Sequence, residues 1–420
     1  MYREAENESV KKCIAGTGSV WRIPRRHLAV LALVITLQLF ELRARAQNHV
    51  DYRYESYKEA DGRIAIETHS ALLEVKAAPW ASVKADFVYD AISGATPTGA
   101  PAPSQLKVID VFTGQPYAGH LSSKVPLTSI VDTRYAGSIE PTFSFGQQRL
   151  TPGFAYSEEG DYISAGGSLN YAIDLNEKNT TLNFGWSHNA DLVLVVGSGE
   201  WEHKTVDDFI IGLNQLLGPK TVLTANVTYG NADGYLADPY KGVYFEGYPV
   251  FVDPTHPSRI GIPLTEEKRP GHRSKYIGYV SLTQAVDPLK ASVEGSYRLY
   301  HDSFGVDAHT LGLTWFQKIG RHVVVSPLFR FTHQSAADFY GVQFPGLPTD
   351  ADAPHYYSAD YRLSEMNTYA FGVAITGRVT DWLSLDVGYK RYNTFGADGV
   401  TDSSAYPKAN IFTVGARVWF

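Results

Sequence analysis

A histidine beside a serine and a carboxylate is the arrangement in this chain that could do covalent chemistry, because a neutral imidazole takes up a proton near pH 7. His301, His309, His333 and His355 lie close together in the sequence, with Asp302, Ser303 and Asp307 among them. A hydrolytic triad is defined by geometry rather than chain order, so this cluster is a candidate rim hydrolase. No Gly-x-Ser-x-Gly elbow surrounds Ser303, and no spacing fixes a base beside a nucleophile. No pair of histidines one helical turn apart suggests a zinc site. The expectation is therefore a non-enzymatic protein without a metal or cofactor.

Carboxylates and mixed charges offer two other chemistries. The tracts Asn231–Asp238, Asp350–Asp352 and Asp398–Asp402 could hold calcium through oxygen ligands or meet the divalent ions of lipopolysaccharide. None follows the twelve-residue calcium loop, so solvated loop charge is the competing explanation. A second set occupies the polar positions of alternating segments: Lys84, Asp86 and Asp90, then Asp174, then Glu294 and Arg298. Arg330, Arg378, Asp386, Lys390 and Arg417 continue it. Facing a water-filled passage, such charges bias which solutes enter. The alternative is that they pair with one another because charge is costly on a lipid face. Tyr89, Trp186, Tyr276, Tyr297, Trp315, Trp382 and Trp419 fall near strand ends, as interfacial girdles or as a stacking platform for a sugar.

The elements that must carry these residues are strands. From Ile163 to Leu175 one face reads Ile163, Ala165, Gly167, Leu169, Tyr171, Ile173, Leu175, and the other is polar apart from Ala172. The same period of two recurs with Leu182, Phe184 and Trp186, with Tyr369, Phe371, Val373 and Ile375, and with Leu383, Leu385, Val387 and Tyr389. Successive side chains of a strand point to opposite faces, so each segment has one apolar and one hydrophilic surface. Composition agrees: Tyr 27, Phe 20 and Trp 7 make aromatics 13%, with Gly 37 and only Met 2.

The N-terminus places those strands outside the cytoplasm. Basic Trp21–Arg26 precedes the apolar run Leu28–Phe40, and Ala44-Arg45-Ala46 is a small-x-small cleavage pattern. That run is 13 residues long, short of the roughly 20 a spanning helix requires. Residues 1–46 are thus read as a cleaved leader, its polar extension 1–20 suggesting a true start near Val20, and 47–420 as the mature domain. The lone Cys13 goes with the leader. Of 37 Lys+Arg and 44 Asp+Glu, eight and four lie in it, which leaves 29 against 40 and a formal charge of −11. So acidic a chain has no electrostatic footprint for nucleic acid.

Connection lengths separate a membrane barrel from a soluble sandwich. Tight turns fall at Ala77–Trp80, Gly146–Gln148, Asn176–Asn179, Gly218–Lys220, Asp287–Pro288, Ile319–Arg321 and Thr380–Trp382. The longer connections Ser93–Ile130, Gly197–Lys204, Gly230–His272, Gln334–Glu365 and Asn393–Lys408 interleave with them. Counted back from the C-terminus, tight turns occupy one rim and long loops the other, the asymmetry of outer-membrane barrels. The fold class is an all-β, antiparallel up-and-down transmembrane β-barrel of about sixteen strands, fourteen if Asp51–Glu59 and the pair around Ser138–Tyr156 fail. The last strand, with Phe412, Val414, Ala416, Val418 and Phe420 on one face, resembles the C-terminal signal read by the barrel-assembly machinery.

Several stretches go further. Asp90–Pro97, Asp132-Thr-Arg134, Tyr156–Ser164 with Lys178–Leu182, Tyr297–Gly305 with His309-Thr310, Gln334–Tyr340 and Tyr357–Ser364 together resemble a domain-of-unknown-function family of bacterial outer-membrane barrels. The likeness runs from about Tyr52 to Phe420. It implies the fold, a Gram-negative outer-membrane location and an envelope redox setting beside flavin-transfer and thioredoxin-like proteins; it transfers no functional residue. The expected function is a channel or transporter for a small solute, with specificity set by the lumen charges and long loops. The alternatives are a non-conducting scaffold that docks envelope proteins, and the rim hydrolase. Outer-membrane lipid, lipopolysaccharide and the assembly machinery are the expected partners.

Overall fold

The computed structural model describes residues 48–420; the expected leader and cleavage site, with Ala44 and Ala46, lie outside the described residues. Among these, helix is confined to short 3₁₀ turns. The strands in chain order are β1 (His49–Glu59), β2 (Ala65–Ala78), β3 (Ala81–Pro97), β4 (Val108–Asp110), β5 (Leu127–Phe145), β6 (Gln148–Glu158) and β7 (Tyr162–Leu175). Then come β8 (Thr180–Val195), β9 (Glu200–Gly218), β10 (Thr221–Gly234), β11 (Gly242–Val243), β12 (Val250–Val252), β13 (Thr265–Glu266) and β14 (His272–Val286). The chain finishes with β15 (Ala291–Asp302), β16 (Asp307–Ile319), β17 (Val323–Gln334), β18 (Met366–Arg378), β19 (Leu383–Gly396) and β20 (Lys408–Trp419).

Sixteen of these form one closed antiparallel barrel in sequence order, leaving β4, β11, β12 and β13 in the loops. Closure pairs β1 with β20, where Asp51 stands opposite Arg417. The carboxylate accepts from Arg417 Nε at 2.6 Å, so the seam carries an ion pair as well as its backbone ladder. A closed ladder satisfies every strand amide without solvent, which lets an all-β wall cross lipid. The alternation sets the faces: Val227 is 67% and Ile211 60% exposed on the outside, while their neighbours Asn226, Thr228, Ile210 and Gly212 take the opposite face, toward the lumen.

The tight turns lie where expected, and four of them use left-handed residues, Gly146 and Gly320 among them. Asn176, Glu177 and Lys178 have φ of 50°, 56° and 71°, and Lys290 follows Asp287–Leu289 at 49°. The weakest stretch of the sequence, Ser138–Tyr156, is a genuine strand pair, but its recorded register breaks between Ile139↔Phe154 and Phe143↔Leu150. Pro141 and Pro152 lie in that gap, and proline has no N–H to give the ladder. One expectation is corrected: Gly197–Lys204 is not a long loop, because β9 starts at Glu200 and extends the wall.

Most of the tightly buried apolar residues belong to the loops rather than the barrel. Val108, Tyr244, Val250 and Val252 form one cluster, with Leu106, Tyr117 and Ile260 against it. Val243, Phe245, Tyr357 and Ala359 form a second, and Phe304, Val306, Ala337 and Leu363 a third. These clusters join residues 98–126, 235–271 and 335–365, all from the rim opposite the tight turns. The loops also share backbone bridges, β4 with β12 in parallel, Phe245 with Phe344, and Lys268 with Tyr357. Three long connections thus make one folded cap with its own core.

Candidate functional site

The cap is tied together by buried charge. Asp360, 1% exposed, sits at the start of the turn Tyr361–Leu363 and caps it by accepting from the Arg362 amide. Its carboxylate also takes Arg269 Nη2 at 2.8 Å and Arg362 Nη2 at 2.6 Å. Arg269 turns back to Glu267 at 2.8 Å, and Arg362 continues to Asp238. Glu267 is itself held by the Ser358 hydroxyl and gives the Asp238 amide its acceptor. One chain of ions therefore links the loop 235–271 to the loop 335–365. Burial alone would push the Asp360 carboxyl up, but the Arg362 and Arg269 guanidiniums hold it well below the usual carboxylate range.

On the β1–β3 side the fastenings are two cations. Lys241 donates to Thr96 Oγ1 at 2.9 Å and to the Pro97 carbonyl at the end of β3. Burial pushes its ammonium down to about 8, against the pull of Asp360 and Asp238. Arg63, in the β1–β2 turn, bonds Glu59 at 2.7 Å and donates to the Ser404 and Ala405 carbonyls at 2.9 and 2.8 Å. Its guanidinium lies 5.6 Å from the Tyr361 ring centre, and burial pushes the Tyr361 phenol up to about 12.

Across the ring, β7 to β14 meet the same cap around a recess of about 780 Å³. Tyr162, Val206, Ala232 and Lys275 line it from the wall, and Tyr235, Asp238, Tyr240 and Arg362 from the loops. Lys204 donates to Tyr162 at 2.8 Å and pairs with Asp191 at 3.2 Å. The ring order sets β1 opposite β10. Loops bonded near β1 and β3 and also near β7 to β14 must cross the mouth of the barrel.

The charges expected to line a lumen take the inward parity of their strands, and Lys84, Asp90, Asp174, Arg378, Asp386 and Arg417 form ion pairs. Asp90 accepts from Arg134 at 2.7 Å and Thr68 at 2.6 Å, and Lys84 reaches Glu140 at 3.2 Å. Asp174 pairs with Arg149 and takes Thr181 at 2.8 Å; Asp386 faces Arg53 at 3.9 Å. Asp86 takes the Ser138 hydroxyl and Glu294 that of Thr283. Arg298 lies over Tyr300, and Arg378 and Arg417 flank the Trp419 ring. Trp419 therefore belongs to the inner rim and not to a lipid girdle. Among the described residues Arg330 and Lys390 have no polar partner. The partners Arg134, Glu140, Arg149, Arg53 and Asp51 were missed, although the same alternation places them inward.

The residues proposed for chemistry are dispersed. His301 bonds Asp307 at 2.8 Å, His309 bonds the Tyr297 hydroxyl at 2.6 Å, and His333 bonds Asn367 at 3.0 Å, all on the outer face. Asp302 is consumed by Arg273, Tyr300 and the Phe304 amide. The Ser303 hydroxyl accepts from the Ser274 amide, and His355 packs on Tyr356. No base stands beside a nucleophile among these. The acid tracts are also spent on the fold: Asp350 takes the Leu347 amide, Asp398 the Val400 amide, and Asp402 the Ser404 amide. A trio that the sequence did not suggest, Asp132, Glu159 and Asp161, has its ligand atoms within 4.8 Å of one another.

A closed sixteen-strand antiparallel cylinder, apolar outside and polar within, is the fold of outer-membrane β-barrel proteins. The chain belongs to the family described as Protein of unknown function (DUF3570), whose profile matches residues 27–406. No curated protein matches the sequence. Similar solved structures are outer-membrane barrels. The siderophore receptor PirA from Pseudomonas aeruginosa shares 11% identity at a TM-score of 0.41, covering 90% of this chain, which spans 62% of that receptor. A bacterial polysaccharide outer membrane secretin shares 8% at 0.47, covering 89% and 99%. OmpT, an outer membrane protein of Vibrio cholerae, shares 7% at 0.42, covering 90% and 99%.

Proposed function

We propose that the protein passes a small polar solute across the outer membrane, and that the folded cap controls access to the lumen. The observation that carries this is the cap itself: three loops with a common core, bonded to the end of β3 through Lys241 and to the β6–β7 turn through the Tyr240 hydroxyl and Asp161. A polar inner face with mostly paired charges supports a passage that favours neither sign of ion strongly. The narrower expectations belong to the same proposal: export through the leader with cleavage after Ala46, contact with lipopolysaccharide at the outer belt, and recognition of β20 by the assembly machinery. Mass spectrometry of the mature protein checks the first, with Gln47 as the expected N-terminus.

The test is flux through proteoliposomes and conductance in planar bilayers, for the wild type and for a variant with residues 239–266 replaced by a short glycine-serine linker. Low passage in the first and a large steady conductance in the second is the expected result. A cap-trimmed barrel that folds and still conducts nothing would end the proposal in favour of a non-conducting scaffold.

A further inference from the structure

Below the recess, the wall formed by β7 to β10 has a composition of its own. The register sets its inward positions in rows: Gly166 faces Asn189, Asn170 faces Gly185, and Asn183 faces Gly212, which in turn faces Asn226. In each row an asparagine stands against a glycine of the next strand, with its carboxamide over the glycine backbone. A Cβ placed on Gly185 would fall 2.5 Å from Asn170 Oδ1, and one on Gly212 would fall 2.6 Å from Asn226 Oδ1. Gly166 and Asn189 make the same close approach. Only glycine leaves the amide room to lie flat against the wall.

These four amides are unengaged. Asn170, Asn183, Asn189 and Asn226 make no hydrogen bond with another group among the described residues. Asparagines elsewhere on the strands differ: Asn214 accepts from Thr224 at 2.8 Å, Asn367 meets His333, and Asn393 and Asn410 take Arg391. Ser168 and Ser187 face each other between the amide rows, and Thr228 adds a further hydroxyl. The one acid within these rows, Asp208, is paired with Lys275 at 3.6 Å. On this wall the remaining charge lies in the flanking rows and is paired, Asp174 with Arg149 and Asp191 with Lys204, as Asp51–Arg417, Arg53–Asp386 and Lys84–Glu140 are on the other arc. The rows continue into the recess, because Val206 and Ala232 stand in the row of Asn189 and also line that space.

A carboxamide offers two N–H donors and an acceptor oxygen without net charge. A hydroxyl group, both donor and acceptor, can be matched by it in either sense. A carboxylate or ammonium gains less there, since no opposite charge replaces its hydration. The geometry points to a binding track for neutral polyhydroxylated solutes, sugars or polyols, running from the recess down the β7–β10 wall. The track rests on the passage proposed above and names what that passage selects.

Lactose and lactobionate test it, since they differ chiefly in one added carboxylate and an opened ring. Binding to the purified, folded protein is measured by calorimetry, and flux in proteoliposomes of the cap-trimmed protein. The variant Asn170→Ala/Asn183→Ala/Asn226→Ala removes three amides and widens the lumen. Lactose should bind and pass about tenfold better than lactobionate, and the triple variant should lose that preference while keeping its thermal melting. A plain sieve would do the opposite, with lactose moving faster through the wider variant, and that result overturns the track. Equal passage of both probes in the wild type also overturns it but leaves the channel standing. Lactose binding without flux of any solute keeps the track and ends the channel; neither binding nor flux ends both.

Discussion

Replacing Asp360 with asparagine should loosen the loops of the cap from one another while leaving the barrel intact. The carboxylate bridges two guanidiniums, with Arg269 at 2.8 Å and Arg362 Nε at 2.9 Å, and is 1% exposed. Removing one partner of a buried ion pair leaves the other charge desolvated and uncompensated, at a cost of about 3 kcal/mol. At 1.4 kcal/mol per tenfold, that shifts the opening equilibrium of the cap by roughly two orders of magnitude. The strands do not share the loss, because their ladder closes without the loops. Hydrogen exchange read by mass spectrometry should show peptides of 235–271 and 335–365 opening about a hundredfold more often, with β14 to β17 unchanged. The pH dependence has a definite sign. The Asp360 carboxyl is held below its ordinary value of 3.8, so its contribution is complete above that pH and is lost only as the pH falls toward the depressed native value. Loop exchange unaffected by Asp360→Asn, or strands loosened along with the loops, would refute a cap latched independently of the wall.

Lys241 predicts the opposite pH behaviour. Its pKa drops to about 8 from 10.5 on burial, so between those values the open cap binds more protons than the closed one and closure strengthens as pH rises. Nicking of 235–271 by an alkaline protease should slow from pH 8 to pH 10, and Lys241→Met should abolish the slope. At the seam, Arg417→Gln breaks the pair with Asp51, but their side chains are 45% and 26% exposed. The loss should be below about 1 kcal/mol, with no change in the heat-modified gel mobility that reports a folded barrel.

The wall was legible because one physical rule, apolar toward lipid and polar toward water, repeats at every second residue. Where another constraint intervened the signal faded. Pro141 and Pro152 interrupt a pair of strands, and Glu200–Lys204 extends β9 with polar residues on both faces, so it read as loop. The histidines could have been placed by the same rule. His301 shares parity with Tyr297 and Leu299, His309 with Leu311, and His333 with Phe331, which puts all three on the outer face. The cap could not be read, because its contacts join residues remote in sequence: Val108 meets Val250 and Arg269 meets Asp360. Each loop alone is a run of Pro, Gly, Asp and Tyr with no period, and its apolar residues acquire a partner only when the barrel brings the rims together.

That division bears on how the cap works. The barrel already satisfies its own amides, so the loops add nothing to closure and must be stabilised by their own core, as fully buried Val243, Phe245 and Val250 are. Apolar contact would be the simplest way to fix such a core to the wall permanently. The contacts are instead polar: Lys241 to Thr96 and Arg63 over the Tyr361 ring meet the wall, and the Asp238–Arg362–Asp360 chain ties the loops to one another. Buried ion pairs gain little net stability over apolar replacements, yet they hold one register and lose heavily when a partner is removed. A cap held this way has one seat and loses it when a single partner among a few charges is removed.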